Sequence, residues 1–457
     1  MTLKAIILAA GKGTRMKSDL PKVLHKILGL SLIERVLNQT LAVEYLDEAV
    51  VITGHKAELV NETINHNYPS QKVQTVLQSP QLGTGHAVSM AIPILKDFDG
   101  DVLILCGDTP LLTTSTLDKL IKAHKENHSD LTVLSAMFEN PTNYGRIIKK
   151  NGKLEKIVEE KDATENQKAI KEVNTGVYCL NWQKILPAFS SLTSNNSQNE
   201  YYLTDIIEWA VRSNLNTNSY ILEDNLESFG INSKEHLAFA TEILNKKTVK
   251  KLLDEGVSII SPNTTFIAPE TTIGADSIIY PNTYIEGGNI LGENNIIGPN
   301  TFIDGNVQTQ NNVKIIQSKV SNAKIGNNTT IGPFAHIRDG VEISSQVRVG
   351  NFVEIKKSLI ANNTNISHLS YIGDSELGSD VNIGAGTITA NYNAKTKVKS
   401  KTKIENGVKI GSNSVLIAPI EIKENATIGA GSVITKDVPE KSLAIARNKQ
   451  QNILNFN

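Results

Sequence analysis

The feature that most constrains the fold of this chain is a six-residue spacing of aliphatic side chains in its second half. Each short strand of a parallel β-helix places one side chain in a narrow stacked core, where β-branched residues pack well. The repeat therefore predicts a parallel β-helix over residues 257–457. The repeating positions are Ile267, Ile273, Ile279, Ile285, Leu291, Ile297, Ile303, Ile325, Ile331, Ile337, Ile343, Val349, Ile355, Ile366, Ile372, Ile404, Ile410, Leu416, Ile422, Ile428 and Ile434.

The repeat slips in three places, at 307–324, 356–365 and 389–403. Breaks in a solenoid are usually loops, and loops on a rigid scaffold are frequent positions of binding sites. We therefore expect three loops in the second half of the chain.

The composition changes where the repeat begins. Residues 1–256 contain 34 Leu and 20 Ile, whereas residues 257–457 contain 7 Leu and 32 Ile. Apolar residues at helical spacing over 233–255 predict a connecting helix that ends at Gly256. We predict three parts: a first domain over 1–230, a helical linker over 231–256 and the repeat domain over 257–457.

The first domain alternates β-rich apolar runs with helical patterns, which is typical of βαβ units on a parallel sheet. Buried strands are predicted at 3–9, 49–53 and 102–106, and helices at 31–40 and 116–124. The expected fold class is therefore α/β, followed by the β-helix.

The charge balance excludes several classes of partner. With 46 Lys and Arg against 47 Asp and Glu, the net charge of −1 gives no overall attraction to nucleic acid or membranes. The 2 cysteines are too few for a disulfide framework or a cysteine-rich metal site. The apolar run at 5–10 is too short for a signal peptide. We expect a cytoplasmic protein that binds small molecules.

A small, glycine-rich turn follows the first predicted strand, over residues 10–16. Small residues let backbone N–H groups approach phosphate oxygens, and the cations Lys12 and Arg15 add positive charge. The turn is neither a Walker loop nor a dinucleotide fingerprint. On its own, it is also compatible with an ordinary connection between a strand and a helix.

The longer run Leu-Ala-Ala-Gly-Lys-Gly-Thr-Arg, from Leu8 to Arg15 and followed by Pro21-Lys22, resembles the entry motif of sugar nucleotidyltransferases. The segments Gln78, 83–87, 105–108, 144–147, 158–159 and 174–176 resemble later motifs of that family, in order. With the repeat half added, the chain resembles the bacterial bifunctional N-acetylglucosamine-1-phosphate uridyltransferase and glucosamine-1-phosphate acetyltransferase family.

The resemblance implies a Rossmann-like nucleotidyltransferase domain, a left-handed β-helix and a homotrimer. It also implies two reactions in series, which feed peptidoglycan and lipopolysaccharide synthesis. Glucosamine 1-phosphate is acetylated by acetyl-CoA, and UMP is then transferred from UTP to N-acetylglucosamine 1-phosphate. The products are UDP-N-acetylglucosamine and pyrophosphate, and Mg²⁺ is the implied cofactor.

In the first half, the resemblance gives Arg15 and Lys22 catalytic roles at the triphosphate, and assigns Asp108 and Asn232 to the metal. Asp108 is predicted at the carboxyl end of a parallel strand, where open α/β sheets bind ligands, and it supplies a hard oxygen. Taken singly, Asp108 could instead cap a helix and Asn174 could be a turn residue. The implied UTP and UDP-N-acetylglucosamine ligands are Leu8, Ala9, Ala10, Gly11, Lys22, Gln78, Gly83, Thr84, Gly145, Glu159, Asn174 and Asn232.

In the second half, His368 lies in a segment that resembles the acetyltransferase motif, which implies that it is the general base. His336 is interpreted as an ordinary outward-facing residue. The implied sugar-phosphate ligands are Arg338, Lys356, Tyr371 and Asn382. The implied acetyl-CoA ligands are Ala385, Asn391, Tyr392, Ser412, Ala430 and Arg447.

Three local features leave questions open. Cys106 occupies a position where the family can carry a bulkier residue such as Tyr, and Asn393-Ala394 replaces the family's usual Asp-Gly. Alternate lysines over 395–403 predict an extended stretch with all five on one face, which either remains solvated or attracts the phosphates of coenzyme A.

Two other functions compete with the bifunctional interpretation. One is a single-activity nucleotidyltransferase with a regulatory or assembly β-helix, against which His368, Lys356 and Tyr371 argue. The other is a catalytically silent assembly subunit, which the presence of Lys22 and Asp108 disfavours.

Overall fold

A computed structural model describes residues 2–454, and the chain divides into two compact units, Met1–Glu242 and Ile243–Asn457. The first unit is an α/β domain and the second is a parallel β-helix, so the predicted fold class is confirmed. Within the described residues, no helix is both long enough and apolar enough to cross a membrane.

The first unit is built on one mixed sheet of nine strands, counted over the described residues. Glu172–Asn181 runs antiparallel to both of its neighbours in the main sheet, and the hairpin Arg146–Lys150 and Lys153–Val158 extends from it. The other strand pairs of the main sheet are parallel. The strand order is Thr217–Ile221, Leu131–Met137, Glu172–Asn181, Asp101–Cys106, Leu3–Ala9, Leu46–Thr53 and Val73–Leu77.

Helices cover both faces of this sheet, which explains why its strands are near-continuous apolar runs. The helix predicted at 31–40 begins after Ser31, whose side chain forms a capping box with Glu34. Thr113, and not Asp108, caps the helix predicted at 116–124. The helices are Leu32–Leu41, Ala57–Asn67, Thr84–Ser89, Ile92–Leu95, Thr114–Glu126, Glu165–Lys168, Trp182–Ile185, Asp205–Arg212 and Lys234–Asp254.

Parallel strands bring their carboxyl ends to one edge of the sheet. Leu3–Ala9, Val73–Leu77 and Asp101–Cys106 end there, and each leads directly into a segment that carries predicted site residues. The sheet topology therefore assembles the first candidate site.

The second unit is a three-sided coil of short parallel strands. Over the part of the chain that the structure describes, its three sheets have 11, 10 and 9 strands. The first sheet contains Ser258–Ile259, Ile278–Ile279, Ile296–Ile297, Lys314–Ile315, Thr330–Ile331, Arg348–Asn351, Asn365–His368, Asn382–Ile383, Lys409–Ile410, Thr427–Ile428 and Leu443–Ala444. The second contains Phe266–Ile267, Tyr284–Ile285, Phe302–Asp304, Lys319–Ser321, His336–Ile337, Glu354–Lys356, Tyr371–Gly373, Ile388–Ala390, Val415–Ile417 and Val433–Ile434. The third contains Thr272–Ile273, Ile290–Leu291, Gln308–Thr309, Ala323–Ile325, Val341–Ile343, Leu359–Ile360, Ser375–Leu377, Thr402–Ile404 and Ile420–Ile422.

The predicted aliphatic positions form the core of this coil. Ile285 pairs with Ile303 in the next coil, and both are fully buried. Helix Lys234–Asp254 contributes Val249 and Leu252 to the same core at its first coils. The β-helix therefore has an apolar interior that begins at the connecting helix.

The three predicted loops have different outcomes. At 307–324 and 356–365 the prediction is wrong, because these breaks are coils that are shorter by one or two residues. For example, Ile303 pairs with Val320, and Ile355 pairs with Ile372. The third prediction is confirmed, because residues 391–400 leave the coil as an antiparallel hairpin of Tyr392–Asn393 and Val398–Lys399.

Candidate active sites

A cavity of about 650 Å³ lies at the carboxyl ends of the parallel strands in the first unit. Nine residues that the sequence assigns to the nucleotide or metal line it, namely Leu8, Ala9, Ala10, Gly11, Lys22, Gln78, Gly83, Thr84 and Asp108. Most of the implied UTP ligands are therefore brought together by the fold.

Lys22 joins the two implied metal ligands. Its Nζ donates to Asp108 Oδ2 at 2.5 Å and to Asn232 Oδ1 at 3.1 Å. The side chains of Lys22 and Asp108 are 15% and 19% exposed, so solvent screens this ion pair less than a surface pair. Gly13 lies in the left-handed region with φ +58°, and a Cβ there would lie 2.6 Å from Lys22 Cβ. Glycine in the turn is thus needed for Lys22 to approach.

The Lys22 contacts test whether a divalent cation fits here. The oxygens of Asp108 and Asn232 already share one positive charge, so they lie close enough together to share a bound cation. Within residues 2–454, no group of three or more His, Cys, Asp or Glu side chains could hold a metal. Magnesium commonly uses one or two carboxylates, with water and substrate phosphates as its other ligands. The site therefore fits Mg²⁺ held together with a triphosphate.

The two cations of the glycine-rich turn lie in different surroundings. Lys12 lines the cavity, whereas Arg15 is exposed in the turn Thr14–Met16 and is not among the lining residues. Lys12 was not among the predicted ligands, although its position beside Gly11 was a usable signal.

The implied N-acetylglucosamine ligands form a second group. Gly145 O accepts from the backbone N–H of Asn174 at 2.8 Å, and a Cβ on Gly145 would lie 3.4 Å from both carboxylate oxygens of Glu159. Burial raises the pKa of Glu159, which accepts from Thr204 Oγ1 at 3.3 Å. The amide of Asn174 donates to Tyr178 Oη at 2.9 Å. Gly145 therefore lies beside both Asn174, to which it is hydrogen-bonded, and Glu159.

Cys106, the last residue of strand Asp101–Cys106, also lines the cavity. Burial, with the neighbouring Asp108 charge, raises the pKa of its thiol to about 12. The thiol therefore stays protonated near neutral pH and is a poor nucleophile.

In the second unit, His368 is exposed at the end of strand Asn365–His368. Its Nδ1–H donates to Asn351 Oδ1, one coil earlier, at 2.7 Å. With Nδ1 protonated, the Nε2 lone pair of the neutral ring is free to accept a proton. Asn351 was not identified from the sequence.

Of the four implied sugar-phosphate ligands, Lys356 and Tyr371 lie on the second sheet, and Arg338 directly follows its strand His336–Ile337. Arg338 pairs with Glu354 at 2.7 Å, and Tyr371 is opposite Glu354 in the next coil. Repulsion from Arg338, and then from Lys399, lowers the pKa of Lys356. Asn382 is different, because it lies on the first sheet, opposite Asn365.

Three of the implied acetyl-CoA residues stack at one corner of successive coils. Ala385 O accepts from Asn413 N at 2.7 Å, and Ser412 O accepts from Gly431 N at 2.8 Å. Arg447 Nη1 donates to Ala430 O at 2.7 Å. The corner therefore presents small residues and backbone groups, with Arg447 beside them.

Asn391 and Tyr392 begin the hairpin that leaves the coil. Asn391 donates to Asp374, and a Cβ on Gly373 would lie 2.8 Å from Asn391 Nδ2 and 2.5 Å from Tyr371 Oη. Asn391 and Tyr371 thus meet over Gly373, whereas Tyr392 is 54% exposed.

The five alternating lysines do not share one face, so that prediction is wrong. Asn393 Oδ1 accepts from the backbone N–H groups of Lys395 and Thr396 and forms a turn in place of an extended stretch. Lys401 pairs with Glu376, and Lys403 pairs with Glu421.

Comparisons with known proteins agree with this two-site architecture. The Nucleotidyl transferase family model matches residues 4–235, and the Bacterial transferase hexapeptide (six repeats) model matches 322–357 and 401–436. Among solved structures, a UDP-glucose pyrophosphorylase complexed with UDP-glucose has a TM-score of 0.43 and 18% identity, covering 54% of this chain and 100% of that chain.

Curated relatives match nearly the whole length. Bifunctional protein GlmU of Shouchella clausii is 44% identical over 99% of this chain and 98% of its own. The protein of the same name from Carboxydothermus hydrogenoformans is 46% identical over 98% of this chain and 99% of its own. The protein of that name from Clostridium perfringens is 47% identical over 98% of this chain and 97% of its own. The chain therefore belongs to the GlmU family of bifunctional enzymes, which combine uridyltransferase and acetyltransferase activities.

Proposed function

We propose that the first unit transfers UMP from UTP to N-acetylglucosamine 1-phosphate in the 650 Å³ cavity. The observation that carries this proposal is the Lys22 ammonium between Asp108 and Asn232, which concentrates charge in a largely desolvated site. Joining two phosphate-bearing substrates requires such fixed positive charge and alignment more than a covalent nucleophile.

The residues of this unit have distinct proposed roles. Lys22 and Lys12 stabilise the triphosphate and the departing pyrophosphate, and Arg15 contributes from the exposed side of the same turn. Gln78, Gly83 and Thr84 receive the nucleobase end. Gly145, Glu159 and Asn174 receive the N-acetylglucosamine end. Leu8, Ala9, Ala10 and Gly11, at the end of the first strand and in the turn after it, also bind the nucleotide.

Asp108 and Asn232 would hold Mg²⁺, which when bound supplies positive charge to the phosphate oxygens. Lys22 Nζ, which pairs with both oxygens in this structure, would donate to a phosphate oxygen of the substrate when Mg²⁺ is bound.

The second unit is proposed to acetylate glucosamine 1-phosphate with acetyl-CoA. His368 Nε2 accepts a proton from the amine as the amine nitrogen bonds to the thioester carbon, the carbon–sulfur bond breaks, and coenzyme A leaves as a thiolate. Arg338, Lys356, Tyr371 and Asn382 would bind the sugar phosphate. Ala385, Asn391, Tyr392, Ser412, Ala430 and Arg447 would bind acetyl-CoA.

A homotrimer is proposed from an apolar corner of the coil beside His368. Phe334, Phe352 and Leu369 lie there in successive coils, 53%, 57% and 58% exposed, and the two phenyl rings stack at 5.4 Å. All three have φ between +49° and +59°, a region that bulky residues rarely adopt. Exposed apolar residues in costly conformations support burial against another copy. A cytoplasmic location is proposed with it, because both cysteines are free.

Separate assays of the two half-reactions test these assignments. Asp108→Ala should remove uridyl transfer and spare acetyl transfer, whereas His368→Ala should do the reverse. The matched controls are Asp118→Ala and His66→Ala, which lie on exposed helix surfaces. Loss of both activities from either active-site change would contradict two independent sites.

A further inference from the structure

Two partners hold the side-chain amide of Gln78. Gln78 follows strand Val73–Leu77, lines the cavity and is only 2% exposed. Its Nε2 donates to Gly83 O at 3.0 Å and lies 3.1 Å from His86 Nδ1. His86 is in helix Thr84–Ser89, one turn after Gly83.

The Gly83 contact decides which way the amide points. A carbonyl oxygen can only accept, so the Gln78 atom that faces it must be the nitrogen. The carbonyl itself is held in place, because it also accepts from the backbone N–H of Ala87 at 3.1 Å. Gly83 has φ +112° and a Cβ there would lie 2.6 Å from Tyr201 O, so glycine is required at this position.

The contact with Gln78 also determines which ring nitrogen of His86 carries the proton. With Nε2 of Gln78 as the donor, His86 Nδ1 must accept, which places the ring proton of neutral His86 on its own Nε2. Both N–H groups of the Gln78 amide are then used. The side-chain group that Gln78 has left for a ligand is the acceptor Oε1.

We infer that His86 is a specificity-determining positioning residue, which holds Gln78 so that its Oε1 reads a ring N–H of the nucleobase. This inference rests on the proposed use of UTP. Uracil offers a donor at N3, whereas cytosine has an acceptor there, and two acceptors facing each other leave both unpaired. Without His86, one buried N–H of Gln78 loses its partner, and the amide is free to reorient.

The test compares kcat/KM for UTP and for CTP, with N-acetylglucosamine 1-phosphate and Mg²⁺, in the wild type, His86→Phe and His86→Asn. His86→Phe removes the acceptor and should lower the UTP to CTP preference about tenfold, mostly through UTP. His86→Asn provides an amide oxygen and should keep the preference within about threefold of the wild type. The exposed-surface control, His66→Phe, should leave it unchanged.

Acetyl transfer by the same preparations reports whether each variant is folded. If His86→Phe does not fold, the preference is read from His86→Lys, which has a donor but no acceptor and should also lose it. An unchanged preference in an active His86→Phe or His86→Lys would overturn the role of His86. A wild type that does not use UTP would instead overturn the proposed function, so the two failures are distinguishable.

Discussion

The two candidate sites differ in how far one chain encloses them. At the first site, the side chains of Lys22 and Asp108 are 15% and 19% exposed and lie in a cavity within one unit. At the second, Arg338 and Glu354 are 41% and 36% exposed, and His368 is open to solvent.

The difference follows from the two scaffolds. Parallel strands that end at one edge of a sheet, with their following turns, create a crevice in a single chain. The outside of a three-sided coil is convex, so its functional residues stand on open faces and corners. We propose that the first candidate site is complete in one chain, whereas the second needs a further surface to exclude water.

Phe352→Glu should have the largest effect, and it should affect the second site while leaving the first nearly unchanged. A carboxylate buried in an apolar contact between chains costs several kcal/mol, and we expect dissociation with at least about a hundredfold loss of acetyl transfer. Uridyl transfer should change less than about twofold. Sedimentation velocity and the two half-reaction assays measure these effects.

Leu359→Glu is the matched control for Phe352→Glu. Leu359 is 50% exposed, but it lies on the third sheet rather than at the apolar corner. It should keep the oligomer and both activities. If Phe352→Glu keeps its oligomeric state and its acetyl transfer, the second site does not depend on that corner.

The repeat predicted the coil because only one side chain per short strand enters the core. It could not separate a shortened coil from a loop. The inward position at Thr309 is polar, and the pairing of Ile303 with Val320 shortens the coil by one residue. The six-residue spacing of aliphatic side chains is therefore interrupted although the chain stays in the coil. At 391–400 the spacing is interrupted in the same way, but there a hairpin projects from the coil.

The first site was predictable to the extent that strand ends and motifs determine it. Asp108 follows a buried strand and could be placed at the sheet edge by topology. Asn232 could not, because 210 residues separate it from Lys22 and only the resemblance connected them. Tyr178 and Thr204 were missed, since their contacts with Asn174 and Glu159 arise from tertiary packing and leave no local pattern.

Asn351→Leu should weaken catalysis at the second site only. Loss of the acceptor frees the His368 ring, and a hydrogen bond of about 1.4 kcal/mol corresponds to roughly a tenfold loss. We expect that loss in kcat of acetyl transfer, with KM for acetyl-CoA nearly unchanged. Asn351→Asp keeps an acceptor and should retain more activity than Asn351→Leu. Equal losses in both variants would contradict the positioning role.

Glu159→Gln should affect the enclosed site alone. Losing a charged hydrogen-bond partner should raise the KM for N-acetylglucosamine 1-phosphate about tenfold, with acetyl transfer unchanged. Because burial raises the pKa of Glu159, the folded state binds its proton more tightly than the unfolded chain does. Wild-type stability therefore falls as the pH rises from the ordinary carboxyl range through the raised pKa.

The Gln variant lacks this titration, so its melting temperature relative to the wild type should rise over the same pH interval and then level off. The exposed control Glu62→Gln should show no such trend. A constant difference in melting temperature between Glu159→Gln and the wild type across that interval would contradict a raised pKa of Glu159.

The smallest effect should come from Lys399→Gln on the open site. Lys399 and Arg338 repel the charge of Lys356 and lower its pKa, so the hairpin adds positive potential where the sugar phosphate is proposed to bind. We expect the KM for glucosamine 1-phosphate to rise about threefold at low salt and to converge with the wild type near 0.5 M salt, because salt screens exposed charges. Lys395→Gln, in the turn of the same hairpin, is the matched control. An increase that persists at high salt would indicate a direct, desolvated contact, and the second site would then be more enclosed than its exposed residues suggest.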